Sequence, residues 1–201
     1  MIFRPRQKPQ QMVFKILLDN SEMKQVNEIA FLGVIVDEHL TWKSDISYVS
    51  NKISKSIGII RKSSFFLLTQ SLLTLSYSTV YPYLHYCNIV WASTYASNLF
   101  RLVILQKRIV RILNNSTFDS HTSEIFRNLR LLKFHDICKL QTSQFMFRYE
   151  NNLLPDHFEG LFLSKNQVHR YNTRNAKEFY IVTSRTSLRQ FSIKYQGPIL
   201  Y

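Results

Sequence analysis

Hydrophobic positions change their spacing along the chain near residue 43. Before that point they form short runs, at Met12–Leu18 and about Ile29 to Val36, which are typical of β-strands. Asp19, Asn20 and Ser21 lie between the runs, and this combination of residues favours a turn. The pattern therefore predicts a small β hairpin at the N-terminus.

From Ser44 onwards, apolar residues recur every three or four positions, as they do on one face of an α-helix. The apolar face of this first predicted helix consists of Ile46, Val49, Ile53, Ile57 and Ile60. On the opposite arc of the same helix we expect Lys52, Lys55 and Lys62. The helix should therefore bury its isoleucines and present its lysines to solvent.

Later helices are predicted by the same spacing and by residues that begin or break helices. Thr69 is a plausible N-cap for a helix that runs towards Val80, and Pro82 should interrupt that helix. The other helices are expected at about Ser97 to Leu113, His121 to Leu129 and Phe134 to Asn151. Residues from Lys165 onwards favour loops and short strands. The predicted fold is mainly α with a small N-terminal β hairpin (α+β) and short strands near the C-terminus.

The excess of positive charge predicts a polyanionic partner. The chain has 26 Lys and Arg against 13 Asp and Glu, a net charge of +13 with neutral histidines. A field of this sign attracts nucleic acid or an anionic membrane surface. Residues 63 to 93 contain no charged side chain, but many Ser and Thr residues, with Gln70 and Pro82, interrupt any membrane span. No membrane-spanning segment is therefore predicted.

The cations are concentrated in a window without carboxylates, because no Asp or Glu occurs between Asp45 and Asp119. Two predicted basic helix faces in this window suit the phosphate backbone of a nucleic acid, and nearby aromatic side chains could stack on unpaired bases. The predicted nucleic-acid-binding residues are Trp42, Lys52, Lys55, Arg61, Lys62, Arg101, Lys107, Arg108 and Arg111. Solvated helix faces and buried aromatic residues are the alternative interpretation of the same pattern.

Catalytic and metal sites have little support in the sequence. The six histidines are dispersed without an H-E-x-x-H motif, and the four glycines form no phosphate-binding cluster. Cys87 and Cys138 are interpreted as buried thiols in a reducing, intracellular compartment (nucleus or cytoplasm). Asp37 and Glu38 form the only adjacent acidic pair, and a solvated turn explains them better than a metal site. We therefore predict no catalytic residue and no metal ligand.

The segment Phe31–Trp42, F-L-G-V-I-V-D-E-H-L-T-W, resembles the strand and turn that close the reverse-transcriptase domain of non-LTR (LINE-type, jockey-like) retrotransposons. Their pattern is F-L-G-x-x-[IVL]-D-x-x-L-x-W, followed by the first helix of the thumb. Blocks similar to the region after the palm of these enzymes continue in the same order along the chain. They lie at residues 57–61, 72–91, 105–113, 132–137, 151–155, 171–174 and 195–198.

The resemblance implies a piece of an RNA-directed DNA polymerase whose catalytic carboxylates lie elsewhere. The family's Ala-Asp-Asp motif, which binds magnesium in the parent polymerase, precedes this region, and no Asp-Asp pair occurs in the chain. It implies residual palm strands at 1–42, a helical thumb/connection domain at 43–163 and a truncated basic segment at 164–201. The expected partners are RNA or an RNA–DNA duplex and the missing palm and fingers. A helical protein-interaction module and a non-functional transposon relic remain alternatives.

Overall fold

The computed structural model describes residues 1–3, 15–168, 174–176 and 178–201, and this part of the chain is mainly helical. Two antiparallel strand pairs come first, β1 (Leu17–Leu18) with β2 (Ser21–Glu22) and β3 (Glu28–Phe31) with β4 (Val34–Asp37). The first helices are α1 (Lys43–Ser63), α2 (Thr69–Thr79), α3 (Tyr81–His85), α4 (Asn88–Trp91) and α5 (Ala96–Leu113). Next come α6 (Thr122–Asn128), α7 (Phe134–Glu150), a 3-10 turn at Asp156–Phe158, α8 (Lys165–Val168), α9 (Ser187–Gln190) and α10 (Ile193–Leu200).

The helix predictions are confirmed to within one or two residues for α1, α5, α6 and α7. Pro82 marks the predicted interruption, since α2 ends at Thr79 and α3 begins at Tyr81. Thr69 is the first residue of α2 and not its cap, which is Leu68. The helical periodicity of apolar residues was therefore a sufficient guide to these elements.

The strand predictions need two corrections. The run from Ile29 to Val36 is not one strand but a hairpin, because Leu32 (φ 48°) and Gly33 (φ 78°) form the two-residue turn between β3 and β4. A turn with two positive φ values matches the twist of antiparallel strands, and Ile29 consequently pairs with Val36.

The short strands expected near the C-terminus are also wrong for the described residues, where α8, α9 and α10 occur with one isolated bridge between Ser164 and Phe179. Of the predicted Met12–Leu18 strand, only Leu17 and Leu18 are in a strand; residues 12–14 lie outside the described part. The turn expected at Asp19 and Asn20 is confirmed, and both residues have positive φ.

Helices α1 and α5 pack side by side and run in the same direction. The start of α1 meets the start of α5, where the Thr94 hydroxyl donates to the Thr41 carbonyl at 3.2 Å. Further along, Arg101 Nη2 donates to Asn51 Oδ1 at 3.0 Å. Ile53 and Ile60 of α1 and Leu102 of α5 are completely buried, with others of both helices. This parallel pair forms the centre of the core.

The last helix packs against α7 and forms a second apolar cluster. A β-carbon added at Gly197 of α10 would lie 2.5 Å from the sulfur of Met146, so the two helices approach closely at this glycine. The aromatic rings of Tyr149, Phe162 and Phe179 pack edge-on or tilted next to this contact. Residues on both sides of the expected boundary at 163/164 therefore contribute to one cluster.

The β3–β4 hairpin shares the helical core, since Val34 and Trp42 belong to the same buried cluster as the α1 isoleucines. Residues on both sides of the expected boundary at 42/43 are thus packed together, and the division into three segments stays a prediction. Within the described ranges, none of the helices combines the length and hydropathy that a membrane crossing requires.

Candidate nucleic-acid interface

A carboxylate at the end of β4 fixes the entry into α1. Asp37 accepts hydrogen bonds from the backbone N–H groups of His39 (3.0 Å), Thr41 (2.9 Å) and Trp42 (2.8 Å), and from the Thr41 hydroxyl. Burial raises the pKa of Asp37, but these hydrogen bonds outweigh burial and leave the pKa below its usual value. Asp37 and Glu38 are 7% and 8% exposed, so the solvated turn predicted here is wrong.

Both oxygens of Asp37 therefore accept hydrogen bonds from backbone amides. No group of three or more His, Cys, Asp or Glu side chains that could hold a metal ion exists in the part of the chain that the structure describes. The Phe31–Trp42 segment thus has a structural explanation: Gly33 makes the hairpin turn and Asp37 ties β4 to the first helix.

A second buried carboxylate strengthens this junction. Asp45, in the first turn of α1, accepts a hydrogen bond of 2.9 Å from the backbone N–H of Ile35 in β4. Burial raises the pKa of Asp45, and the hydrogen bond offsets that effect only in part. Asp37 and Asp45 therefore hold the start of α1 against the hairpin.

Trp42 is not available for base stacking, which corrects its predicted role. It precedes α1 with a positive φ of 62° and is only 8% exposed, in the core cluster. Tyr81 in α3 is also buried, whereas Tyr48 in α1 and Tyr77 in α2 are exposed. The aromatic residues next to the basic helices are thus partly structural.

Five of the predicted cations share one surface across α1 and α5. Asn51, Lys55 and Lys62 are separated by four and seven residues, so they lie on the same side of α1. Arg101 of α5 reaches that side through its bond to Asn51, and Arg108 follows Arg101 by seven residues. We define the α1–α5 basic surface as Lys55, Arg61, Lys62, Arg101 and Arg108, all of which are exposed.

Arg61 and Arg108 meet at the far end of the parallel helices. Together with Arg111 and Phe118 they line a shallow cavity of about 170 Å³. Arg111 is held in place, because its Nε donates to the Ser120 carbonyl at 3.0 Å and its guanidinium lies 5.7 Å from the centre of the Phe118 ring. Three guanidinium groups are therefore gathered in one concave region.

The remaining predicted cations lie on the flanks. Lys52 is half-buried, with its ammonium 5.3 Å from the centre of the Tyr48 ring, and Tyr48 lines a separate cavity of about 1000 Å³. Lys52 lies about 60° around α1 from Lys55 but about 180° from Arg61, so it is on the side of α1 away from the arginines that adjoin α5. Lys107 lines another cavity, between α5, α6 and α7. Lys52 and Lys107 are therefore not part of the α1–α5 basic surface.

The charges of this surface are not neutralised within the described residues. The ion pairs formed there are Lys15–Glu22, His39–Glu38 and Lys165–Glu178, all away from α1 and α5. Asp119 has a pKa lowered first by a hydrogen bond from Thr117 and also by the charge of Arg111, which lies outside the α1–α5 basic surface. An unpaired positive surface of this kind attracts anions at long range.

Some features of the site carried no recognisable sequence signal. Asn51 and Ser120 position Arg101 and Arg111 through contacts that link distant parts of the chain. The prediction that both cysteines are buried is wrong for Cys87, which is exposed. Cys138 is half-buried, and burial raises the pKa of its thiol to about 12.

No protein-family model, curated protein or solved structure matches this chain. The arrangement of its own side chains is therefore the basis for assigning a function.

Proposed function

We propose that this protein binds the sugar–phosphate backbone of a nucleic acid through the α1–α5 basic surface. One observation carries the proposal: parallel packing of α1 and α5 brings exposed cations of two distant segments together, and none of them forms an ion pair in the described part of the chain. Arginines fit phosphate oxygens well because the guanidinium group can donate two parallel hydrogen bonds.

Such contacts should be insensitive to sequence and sensitive to salt. Each phosphate that a cation neutralises releases condensed counterions, so affinity falls as the salt concentration rises. A backbone-binding surface needs no base-specific donors, and this one consists of flexible Lys and Arg side chains. The ligand expected from the resemblance is RNA or an RNA–DNA duplex.

The wider proposal is that the chain is the thumb/connection region of a non-LTR retrotransposon reverse transcriptase. It would hold template and primer, while the missing palm and fingers supply the carboxylates and magnesium. The structural roles of Gly33 and Asp37 support this proposal. Gly33 allows the hairpin turn and Asp37 ties β4 to α1, so the Phe31–Trp42 segment connects a palm-like hairpin to the first helix. The chain alone should have no polymerase activity.

A helical protein-interaction module is the second candidate, and one observation favours it. The turn between α1 and α2 exposes apolar side chains to an unusual extent, with Phe65 81%, Phe66 88% and Leu68 81% exposed. Exposed apolar patches often mark contacts with other proteins. Binding through this turn would depend little on salt, unlike binding through the α1–α5 basic surface.

Fluorescence anisotropy with a labelled short RNA–DNA duplex tests the first proposal. The double variant Arg61→Gln/Arg108→Gln should weaken binding for every duplex sequence and reduce the slope of log K against log salt by about 2. Lys139→Gln, at an exposed position of α7, removes a charge outside the surface and is the matched control. Equal affinity and salt slope for the double variant and the control would refute the proposal.

A further inference from the structure

A cavity of about 380 Å³ lies between the second half of α5, the loop after it and the first turns of α6 and α7. Lys107 and Arg111 reach it from α5, and Lys133 reaches it from the residue before α7. Asp119 is the one carboxylate among its lining residues, and His121 and His135 add imidazole groups. The cavity therefore has a net positive charge even with neutral histidines.

Buried hydrogen bonds fix the positions of these cations. Gln106 of α5 donates from Nε2 to the Leu132 carbonyl at 2.9 Å and accepts at Oε1 from the Phe134 N–H at 2.8 Å. These two bonds hold the backbone on both sides of Lys133 next to Gln106, so the backbones of Lys107 and Lys133 stay close together. Arg111 is held by the Ser120 carbonyl, as described above. The cavity is thus preorganised, which lowers the cost of binding a ligand.

Neutral donors complete the cavity. Thr122 lines it, and its hydroxyl is not among the buried polar atoms left without a partner in the described residues, so it is open to a ligand or water in the cavity. Ser123 also lines the cavity and accepts a weak contact of 3.4 Å from Lys133 Nζ. In the first turn of the 17-residue helix α7 the Phe134, Asp136 and Ile137 N–H groups already have protein acceptors, so this helix end contributes the positive end of its dipole and not a set of free donors.

We propose that this cavity binds a phosphate group, with Lys107, Arg111 and Lys133 as charged contacts and Thr122 and Ser123 as hydroxyl donors. Three cations and two hydroxyls around one cavity match the several acceptor oxygens of a phosphate. The volume leaves room for the sugar or base of a nucleotide beside the phosphate. The phosphate could belong to a small molecule or to a polynucleotide. The cavity adjoins the α1–α5 basic surface at Arg111, which also lines the smaller cavity with Arg61 and Arg108.

The test is an amide NMR titration of the full chain, first with inorganic phosphate and then with adenosine monophosphate, at constant ionic strength. We expect saturable shifts at Ser123 and His135, and binding about fivefold weaker in Lys133→Gln. Thr122→Val removes the hydroxyl with little change in shape, so it should also weaken binding while the spectrum stays folded. Lys139→Gln, outside the cavity, should bind as the wild type does.

Two results would overturn the proposal: shifts that sodium chloride reproduces, or wild-type phosphate affinity in both Lys133→Gln and Thr122→Val. A short oligonucleotide distinguishes the two sources of the phosphate. If it displaces phosphate and binds more weakly to Lys133→Gln, the site holds a backbone phosphate; if only adenosine monophosphate does so, it holds a small molecule. Phosphate shifts that persist in Arg61→Gln/Arg108→Gln would separate this site from the proposed nucleic-acid surface.

Discussion

The backbone N–H of Trp42 donates a 2.8 Å hydrogen bond to Oδ2 of Asp37, and this contact joins the β3–β4 hairpin to α1. The same carboxylate accepts from two further amides, so a single side chain satisfies three N–H groups in the turn. Hydrogen bonds from amides to an ionised carboxylate are stronger than those between neutral groups. Asp37 should therefore contribute to stability in a way that depends on its charge.

We predict that Asp37→Ala lowers the free energy of unfolding by about 2 kcal/mol or more, because three amides lose their acceptor. Asp37→Asn should lose less, since its side-chain oxygen can still accept hydrogen bonds. Urea unfolding followed by circular dichroism measures both variants. Glu159→Gln, at an exposed position, is the control and should unfold as the wild type does. A wild-type midpoint for Asp37→Ala would contradict the role of this contact.

The pH dependence of Asp37→Asn follows from the lowered pKa of Asp37. In the unfolded chain this carboxyl titrates near its usual pKa of 3.8, and in the folded chain it titrates below that value. Its stabilising effect is thus fully present above pH 3.8 and is lost as the pH falls through the folded pKa. The stability difference between wild type and Asp37→Asn should shrink over that range. Asp45, whose pKa is raised, is present in both proteins, so its opposite contribution cancels.

Two glycines in helices should respond oppositely to alanine. Gly197→Ala places a β-carbon 2.5 Å from the Met146 sulfur, so the buried Met146 side chain or the two helices must shift, and we expect a loss of about 1–3 kcal/mol. Gly58 lies in the interior of α1 with nothing within 4 Å of an added β-carbon, so Gly58→Ala should stabilise by about 0.5–1 kcal/mol. Thermal unfolding of both variants checks the pair. A stabilised Gly197→Ala protein would show that α10 does not pack on α7 in this way.

Lys52 and Lys62 provide a matched test of the α1–α5 basic surface, because they lie on the same helix and differ in position around it. Lys62→Gln should lower the salt slope of duplex binding by about 1, as expected for one lost phosphate contact. Lys52→Gln should leave the slope unchanged, since Lys52 lies over Tyr48 on the flank. Equal effects in anisotropy titrations over a range of salt concentrations would mean that the surface extends around α1.

The two cysteines should differ strongly in reactivity. Cys87 is exposed, whereas Cys138 is half-buried and burial raises its thiol pKa to about 12. Because the thiolate is the reactive form, iodoacetamide at neutral pH should modify Cys87 first in the native protein. Mass spectrometry after a time course identifies the labelled residue, and urea should remove the difference. Fast native labelling of Cys138 would indicate that this part of α7 opens readily.

Local patterns in the sequence were enough to find α1 and α5, because each has a continuous apolar face. Helix α7 was also found, although its apolar face is interrupted by Gln141 and Thr142. The β3–β4 turn was missed because Leu32 and Gly33 lie inside the run from Ile29 to Val36. No polar residue interrupts that run to mark the turn. Trp42 illustrates a different limit. Its burial depends on the hairpin and helices that surround it, and no feature of the neighbouring residues reveals that.

The cations of the candidate surface were identifiable from charge and helical spacing, but their partners were not. Spacing places Lys55 and Lys62 on one side of α1, yet it does not show that Arg101 and Arg108 approach that side. That information lies in the parallel packing of α1 and α5, which depends on the path of α2, α3 and α4 between them.

Parallel packing of α1 and α5 has an energetic consequence as well. The peptide dipoles of each helix sum to a partial negative charge at its C-terminus, and these two termini are adjacent. Arg61 and Lys62 in the last turn of α1, and Arg111 in the last turn of α5, lie at those negative ends. Each such cation stabilises its helix by roughly 0.3–1 kcal/mol. These three cations would therefore stabilise the two helices even in the absence of any ligand.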